Sequence, residues 1–96
     1  MGNFIRPAQA GTLESNDIII TVAPAEQGSG IVVELESIVF AQYGDSIRQV
    51  IVETARNLGV VDVFIKAVDR GALDCTIEAR TAAALQRAGF AAKEGD

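Results

Sequence analysis

Alternating apolar and polar residues predict several β-strands in this chain. Residues 17–23 are rich in β-branched side chains and apolar on both faces, which favours a central strand. Residues 31–40 alternate and carry two glutamates on one side, as a strand with one solvent-facing side does. Because a short Gly-Ser-Gly turn separates them, the two strands are predicted to form a hairpin. Residues 60–68 and 73–79 also alternate, and 73–79 has the cleanest alternation of the chain.

Two further segments predict helices. Residues 42–58 repeat apolar positions every three or four residues, and Gly59 follows as a C-terminal cap. Residues 80–88 are rich in alanine and stop before Gly89. The predicted order is therefore ββαββα. This order indicates an α+β two-layer sandwich, in which a mainly antiparallel sheet carries the helices on one face.

The length of 96 residues predicts a single domain. Within it, residues 1–16 are expected to form a flexible N-terminal segment and residues 90–96 a frayed tail. No apolar run approaches the roughly 20 residues of a membrane-spanning helix. Residues 1–10 lack the apolar region of a secretory signal, and one cysteine gives no internal disulfide. A cytoplasmic protein that does not contact membranes is expected.

Composition also excludes most independent chemistry. The chain contains no histidine, so it has no Ser-His pair and no histidine metal site. Its net charge of −5, without a basic run, argues against nucleic acid as a partner. The sequence therefore predicts no catalytic residues and no metal site, and an independent enzyme is disfavoured.

The loop before the first predicted strand contains the main candidate site. Ser15 lies there between two acidic residues, Glu14 and Asp17. By local chemistry alone Ser15 is an ordinary turn residue, and the carboxylates are solvated charges or turn caps. The functional alternative is an acidic pair that a basic partner or modifying enzyme recognises. Elsewhere, Cys75 lies among apolar positions and is predicted to be a small buried residue.

Three segments, in this order, resemble the acyl carrier (gamma) subunits of citrate lyase. They are Ala-Gly-Thr-Leu-Glu-Ser at 10–15, Tyr-Gly-Asp-Ser-Ile-Arg at 43–48 and Asp-Arg-Gly-Ala-Leu-Asp-Cys at 69–75. The resemblance extends over nearly the whole chain. Small departures from the family pattern occur at Asn16, Tyr43 and Arg70.

The resemblance implies a role for Ser15 as the attachment point of a prosthetic group. In that family the group is 2′-(5″-phosphoribosyl)-3′-dephospho-CoA, linked through a phosphodiester, and its thiol holds acetyl and citryl groups. The implied partners are an alpha subunit that transfers acyl groups, a beta subunit that cleaves citryl-carrier to oxaloacetate, and the prosthetic-group transferase. Glu14 and Asp17 become candidate recognition residues. The chain itself would be a non-catalytic carrier of the lyase complex.

Two alternatives stay open on the sequence. One is the carrier of a related complex, citramalate lyase or malonate decarboxylase. The sequence does not separate citrate from citramalate, because the partner subunits choose the substrate. Malonate decarboxylase is less favoured, because its carrier lacks the Thr-Leu-Glu-Ser segment found here at residues 12–15. From another class, an unmodified small interaction domain accounts for every polar cluster by its ordinary role. That alternative predicts no mass addition on Ser15.

Overall fold

Four strands and two helices make up the described part of the chain, residues 6–37 and 40–90 of the computed structural model. Their bounds in chain order are β1 (Ala8–Gly11), β2 (Ile18–Pro24), β3 (Ile31–Ser37), α1 (Phe40–Asn57), β4 (Val63–Asp69) and α2 (Asp74–Arg87).

The strands form one sheet in the order β1-β2-β4-β3. The β1–β2 and β2–β4 pairs are antiparallel, whereas β3 and β4 are parallel and connected through α1. The prediction of a mainly antiparallel sheet is therefore confirmed. The predicted hairpin between the second and third of these strands is wrong, because β4 lies between them. The inward side chains of β4 have no solvent exposure, which favours a central position over an edge.

Both helices cover the same face of the sheet. Helix α2 packs against β1 and β2, α1 packs against β3, and the helices pack on each other. Between these layers lies the apolar core, which consists of Ala10, Ile18, Ile20, Val22, Ile47, Ile51, Ala55, Val60, Val63, Ile65, Ala67, Ile77, Ala84, Leu85 and Ala88. The opposite face exposes charged residues such as Glu34 and Lys66. The predicted two-layer α+β architecture is confirmed.

The segment predicted as a fourth strand, residues 73–79, is instead the beginning of α2. Its alternation is real but short. The buried positions of the helix are Ile77, Thr81, Ala84 and Leu85. This spacing is helical and continues across the predicted boundary at residue 80. As a consequence Cys75 lies exposed in the first turn of α2, so its predicted burial is wrong.

The N-terminal segment that was expected to be flexible contains strand β1. Gly11 ends this strand with a φ of +102°, in the region that glycine tolerates best. A Cβ at this position would overlap the backbone carbonyl oxygen of Ile18 on the neighbouring strand. Residues 1–5 of the expected flexible segment, and residues 91–96 of the expected tail, lie outside the described residues.

Candidate functional site

One end of the sheet brings together the three segments that carry the family resemblance. The β1–β2 loop, residues 12–17, enters β2 at Ile18, which is paired with Asp69 at the end of β4. Asp69 is in turn paired with Ser37 at the end of β3. The starts of α1 and α2 follow these two strand ends directly. Segments distant in sequence therefore meet around the β1–β2 loop.

Ser15 lies exposed in the β1–β2 loop. Within residues 6–37 and 40–90, no hydrogen bond engages its hydroxyl group. The next residue, Asn16, has a left-handed backbone with a φ of +64°, which asparagine tolerates better than most residues. The loop thus presents to solvent a hydroxyl that has no partner within these ranges.

Hydrogen bonds fix the β1–β2 loop to the rest of the protein. Within the loop, the Thr12 hydroxyl donates to Asp17 Oδ2 at 2.8 Å and accepts the backbone N–H of Glu14 at 3.2 Å. From outside, the carbonyl of Arg70 accepts the N–H of Asn16 at 2.8 Å. The N–H of Arg70 donates to the carbonyl of Asp17 at 2.9 Å. The position of the loop is therefore tied to the β4–α2 connection.

Asp17 forms a two-point ion pair with Arg80 of α2. Arg80 Nε donates to Asp17 Oδ1 at 3.0 Å, and Arg80 Nη2 donates to Asp17 Oδ2 at 2.8 Å. The hydrogen bond from Arg80 is the main cause that lowers the pKa of Asp17 to about 2, against burial, which raises it. The backbone N–H of Ile18 and the Thr12 hydroxyl lower the pKa further. The carboxylate is thus engaged within the chain, and its geometry supports a role in positioning the loop.

Glu14, the other acidic residue proposed for recognition, differs from Asp17 in its surroundings. It is exposed in the loop, and no hydrogen bond or ion pair of its carboxylate occurs among the described residues. Its role in partner recognition stays a prediction. Of the two carboxylates, this one is available for contact with a basic surface.

A buried carboxylate in the matched segment 69–75 supports the same end of the sheet. Asp69 is only 1% exposed and accepts the hydroxyl of Ser37 at 2.9 Å. It also accepts the backbone N–H groups of Gly71 and Ala72 at 3.1 and 3.0 Å. The Asp-x-Gly spacing is typical of a carboxylate that closes a turn on its own backbone. Asp69 thereby shapes the connection that holds the Ser15 loop.

An open groove lies beside this connection. It has a volume of about 370 Å³ and is lined by Tyr43, Ser46, Ile47, Gly71, Ala72, Leu73 and Asp74. Tyr43 is 56% exposed and Leu73 is 69% exposed, so both offer apolar surface to solvent. The sequence did not predict the groove, because its walls come from α1 and from the β4–α2 connection with the first residue of α2, which meet only in the fold.

No group of three or more metal-binding side chains occurs in the described ranges. In the same ranges, neither helix is long and apolar enough to cross a membrane.

The Asp17–Arg80 pair predicts an acid-dependent loss of stability. Because folding lowers the pKa of Asp17 from 3.8 to about 2, its contribution is present above about pH 5 and is lost as pH falls through about 2. Since Arg80 is partly exposed, we expect a loss on the order of 1 kcal/mol. Urea unfolding at pH 5, 4, 3 and 2 measures the free energy of unfolding. Between pH 5 and pH 2 this free energy should fall by that amount more in the wild type than in Asp17→Asn. Parallel pH curves for the two proteins would contradict the assignment.

Comparison with known proteins places this geometry in a family. The family model described as "ACP: Malonate decarboxylase delta subunit (MdcD)" matches residues 5–88. Among solved structures, the crystal structure of a Pseudomonas malonate decarboxylase hetero-tetramer in complex with malonate contains a chain of the same fold. The TM-score is 0.73 at 18% identity, and the match covers 90% of this chain and 87% of that one. At this identity the likeness concerns the fold alone.

Several other proteins are much more similar to this chain in sequence. The citrate lyase acyl carrier protein of Streptococcus uberis is 57% identical over 86 residues, which cover 90% of this chain and 83% of that protein. That of Halothermothrix orenii is 49% identical over 89 residues, or 93% of both chains. That of Lacticaseibacillus casei is 55% identical over 82 residues, covering 85% of this chain and 79% of the relative. The chain therefore belongs to the citrate lyase acyl carrier protein family.

Proposed function

We propose that this chain is the acyl carrier subunit of citrate lyase and that Ser15 is its attachment point. The observation that carries the proposal is the exposed hydroxyl of Ser15, which has no hydrogen bond to the described residues and lies in a loop held by hydrogen bonds on both sides. The names of the relatives supply the carrier role and the complex. The proposed group is phosphoribosyl-dephospho-CoA, which the resemblance implies for this position.

The residues of the loop fit a covalent attachment carried out by another protein. Attachment forms a bond from Ser15 Oγ to phosphorus, while a diphosphate leaves an activated phosphate donor and the hydroxyl proton goes to a base. Asp17 is unsuited as that base, since its pKa of about 2 leaves it a weak proton acceptor near neutral pH. The base is therefore expected from the prosthetic-group transferase, which needs only access to the hydroxyl.

The folded chain contributes a rigid base for the group. When bound, the group supplies a thiol that holds acetyl and citryl residues as thioesters. The Arg80–Asp17 pair and the backbone contacts of Arg70 keep the attachment point in one place on the carrier. A tether from a fixed point raises the effective concentration of its cargo at active sites within reach. Those sites are proposed to belong to the alpha and beta subunits.

The related complexes remain second candidates for the same chemistry. The malonate decarboxylase structure matches this chain in fold but only at low identity. It therefore supports a malonate decarboxylase carrier less strongly than the citrate lyase relatives support a citrate lyase carrier. The choice between citrate and citramalate belongs to the partner subunits. A cytoplasmic location also stays a prediction.

Intact mass and peptide mapping test the proposal. The chain is co-expressed with a prosthetic-group transferase that is shown to be active on an established citrate lyase carrier. We expect the mass to rise by one phosphoribosyl-dephospho-CoA group and the modified peptide to contain Ser15. An unchanged mass, or an increment mapped to another residue such as Cys75, would overturn the assignment and favour the unmodified interaction domain.

A further inference from the structure

The groove between α1 and α2 lies within reach of the proposed attachment point. The N–H of Asn16, the residue after Ser15, is 2.8 Å from the carbonyl oxygen of Arg70. The residue after Arg70 is Gly71, which lines the groove. Standard bond lengths then place the Cα atoms of Ser15 and Gly71 within about 10 Å of each other. A group attached to Ser15 can therefore reach this groove close to its point of attachment.

The groove is open to solvent and has a volume of about 370 Å³, which is enough space for part of a small molecule. The exposed ring of Tyr43 and the side chain of Leu73 give it apolar walls, and Ser46 and Asp74 add hydrogen-bonding groups. An aromatic ring beside a carboxylate suits a nucleobase, which offers a flat face and exocyclic N–H donors.

A positively charged side chain, that of Arg70, lies next to the β1–β2 loop. The guanidinium group of Arg70 is exposed, and in the described part of the chain it makes no hydrogen bond or ion pair. The backbone of the same residue is bonded to Asn16 and Asp17. The chain carries a net charge of −5, so a phosphate near Ser15 would otherwise meet a repulsive surface. Arg70 is suited to offset that charge.

We propose that the groove holds the nucleoside end of the prosthetic group, with Tyr43 and Leu73 contacting the adenine base and Arg70 facing the phosphodiester. This inference rests on the proposed function. It names the nucleoside because only the phosphoribosyl unit separates that part of the group from Ser15. The thiol lies at the far end and must stay free to enter the partners' active sites, so the near part is the one that can be held without loss of reach.

The test compares apo and loaded protein by nuclear magnetic resonance, after intact mass has shown that the group is attached. We expect backbone amide signals of Gly71, Ala72 and Leu73 to shift on attachment, while those of Gly28 and Gly30, in the β2–β3 connection beyond the opposite end of the sheet, stay in place. The adenine C2 and C8 protons should give broader lines than in free CoA. Both signals report on the groove without any measurement of lyase activity.

Matched variants locate the contact. Tyr43→Ala should reduce the ratio of held to free nucleoside about tenfold, which narrows the adenine lines. Val61→Ala removes a residue that is 70% exposed and precedes β4 at the other end of the sheet, and it should change nothing. Unshifted control amides show that each variant is folded.

The outcomes separate the two proposals. In one outcome, the mass shows attachment while the amide signals of the groove stay unshifted and the adenine lines stay narrow. This result overturns the groove assignment and leaves the carrier function intact. Equal effects of Tyr43→Ala and Val61→Ala overturn it as well. Absence of attachment overturns the proposed function and, with it, this inference.

Discussion

Replacing Ser15 with alanine is expected to abolish attachment of the prosthetic group completely. In the proposed attachment, the Ser15 hydroxyl oxygen forms the bond to phosphorus, and alanine offers no substitute for it. Because Ser15 is exposed and its hydroxyl has no partner among the described residues, its loss should change the free energy of unfolding by less than about 0.5 kcal/mol. Intact mass after co-expression with the transferase measures the first effect, and urea unfolding measures the second.

Ser29→Ala is the matched control for this experiment. Ser29 is also exposed in a turn, in the β2–β3 connection at the other end of the sheet. This variant should carry the full mass increment. Attachment that survives in Ser15→Ala, or that is lost equally in both variants, would contradict the role of Ser15. A large loss of stability in Ser15→Ala would show instead that the hydroxyl supports the fold.

Replacing Gly11 with alanine is expected to have the largest effect on stability. Two causes act together, since the φ of +102° disfavours any side chain and the new Cβ would overlap the Ile18 carbonyl oxygen. Relief requires β1 to move away from β2 where the loop begins. We expect a loss of about 3 kcal/mol or more, seen as a fall in Tm of about 12 °C or more. Thermal unfolding followed by circular dichroism measures it.

Gly28→Ala separates the two causes. Gly28 also has a positive φ, of +89°, but a Cβ there would meet no atom within 4 Å. This variant should lose only about 1 kcal/mol, the cost of the backbone conformation itself. Similar losses of stability in Gly11→Ala and Gly28→Ala would mean that β1 moves freely away from β2. The close approach to the Ile18 carbonyl oxygen would then contribute nothing to the loss.

The sequence predicted the architecture better than the connections between elements. The apolar run of β2 indicated a central strand, and β2 does lie between β1 and β4. Local alternation cannot show which strand is the neighbour, however, because pairing depends on the route of the chain through α1. Residues 73–79 were mistaken for a strand for a similar reason. Seven residues are too few to distinguish alternation from a helical repeat, and the helical repeat becomes clear only when the buried Thr81 and Leu85 are included.

The candidate site was predictable where one short segment contains it. The resemblance at residues 10–15 pointed to Ser15 and to its acidic neighbours. It did not distinguish those neighbours, because the partner of Asp17 is Arg80, which follows 63 residues later. The groove and the role of Arg70 depend on contacts of the same long range. The family resemblance therefore indicated the proposed attachment point, whereas the contacts that support its loop emerged only from the fold.

The long separation between Asp17 and Arg80 has a consequence for the order of events in the cell. The residues that hold the β1–β2 loop, Arg70 and Arg80, are synthesised long after Ser15 itself. A chain still emerging from the ribosome thus lacks the contacts that define the loop. A transferase that recognises the loop in its folded form would act only on completed chains. Loading would then serve as a check that synthesis and folding have finished, so that truncated carriers consume no coenzyme.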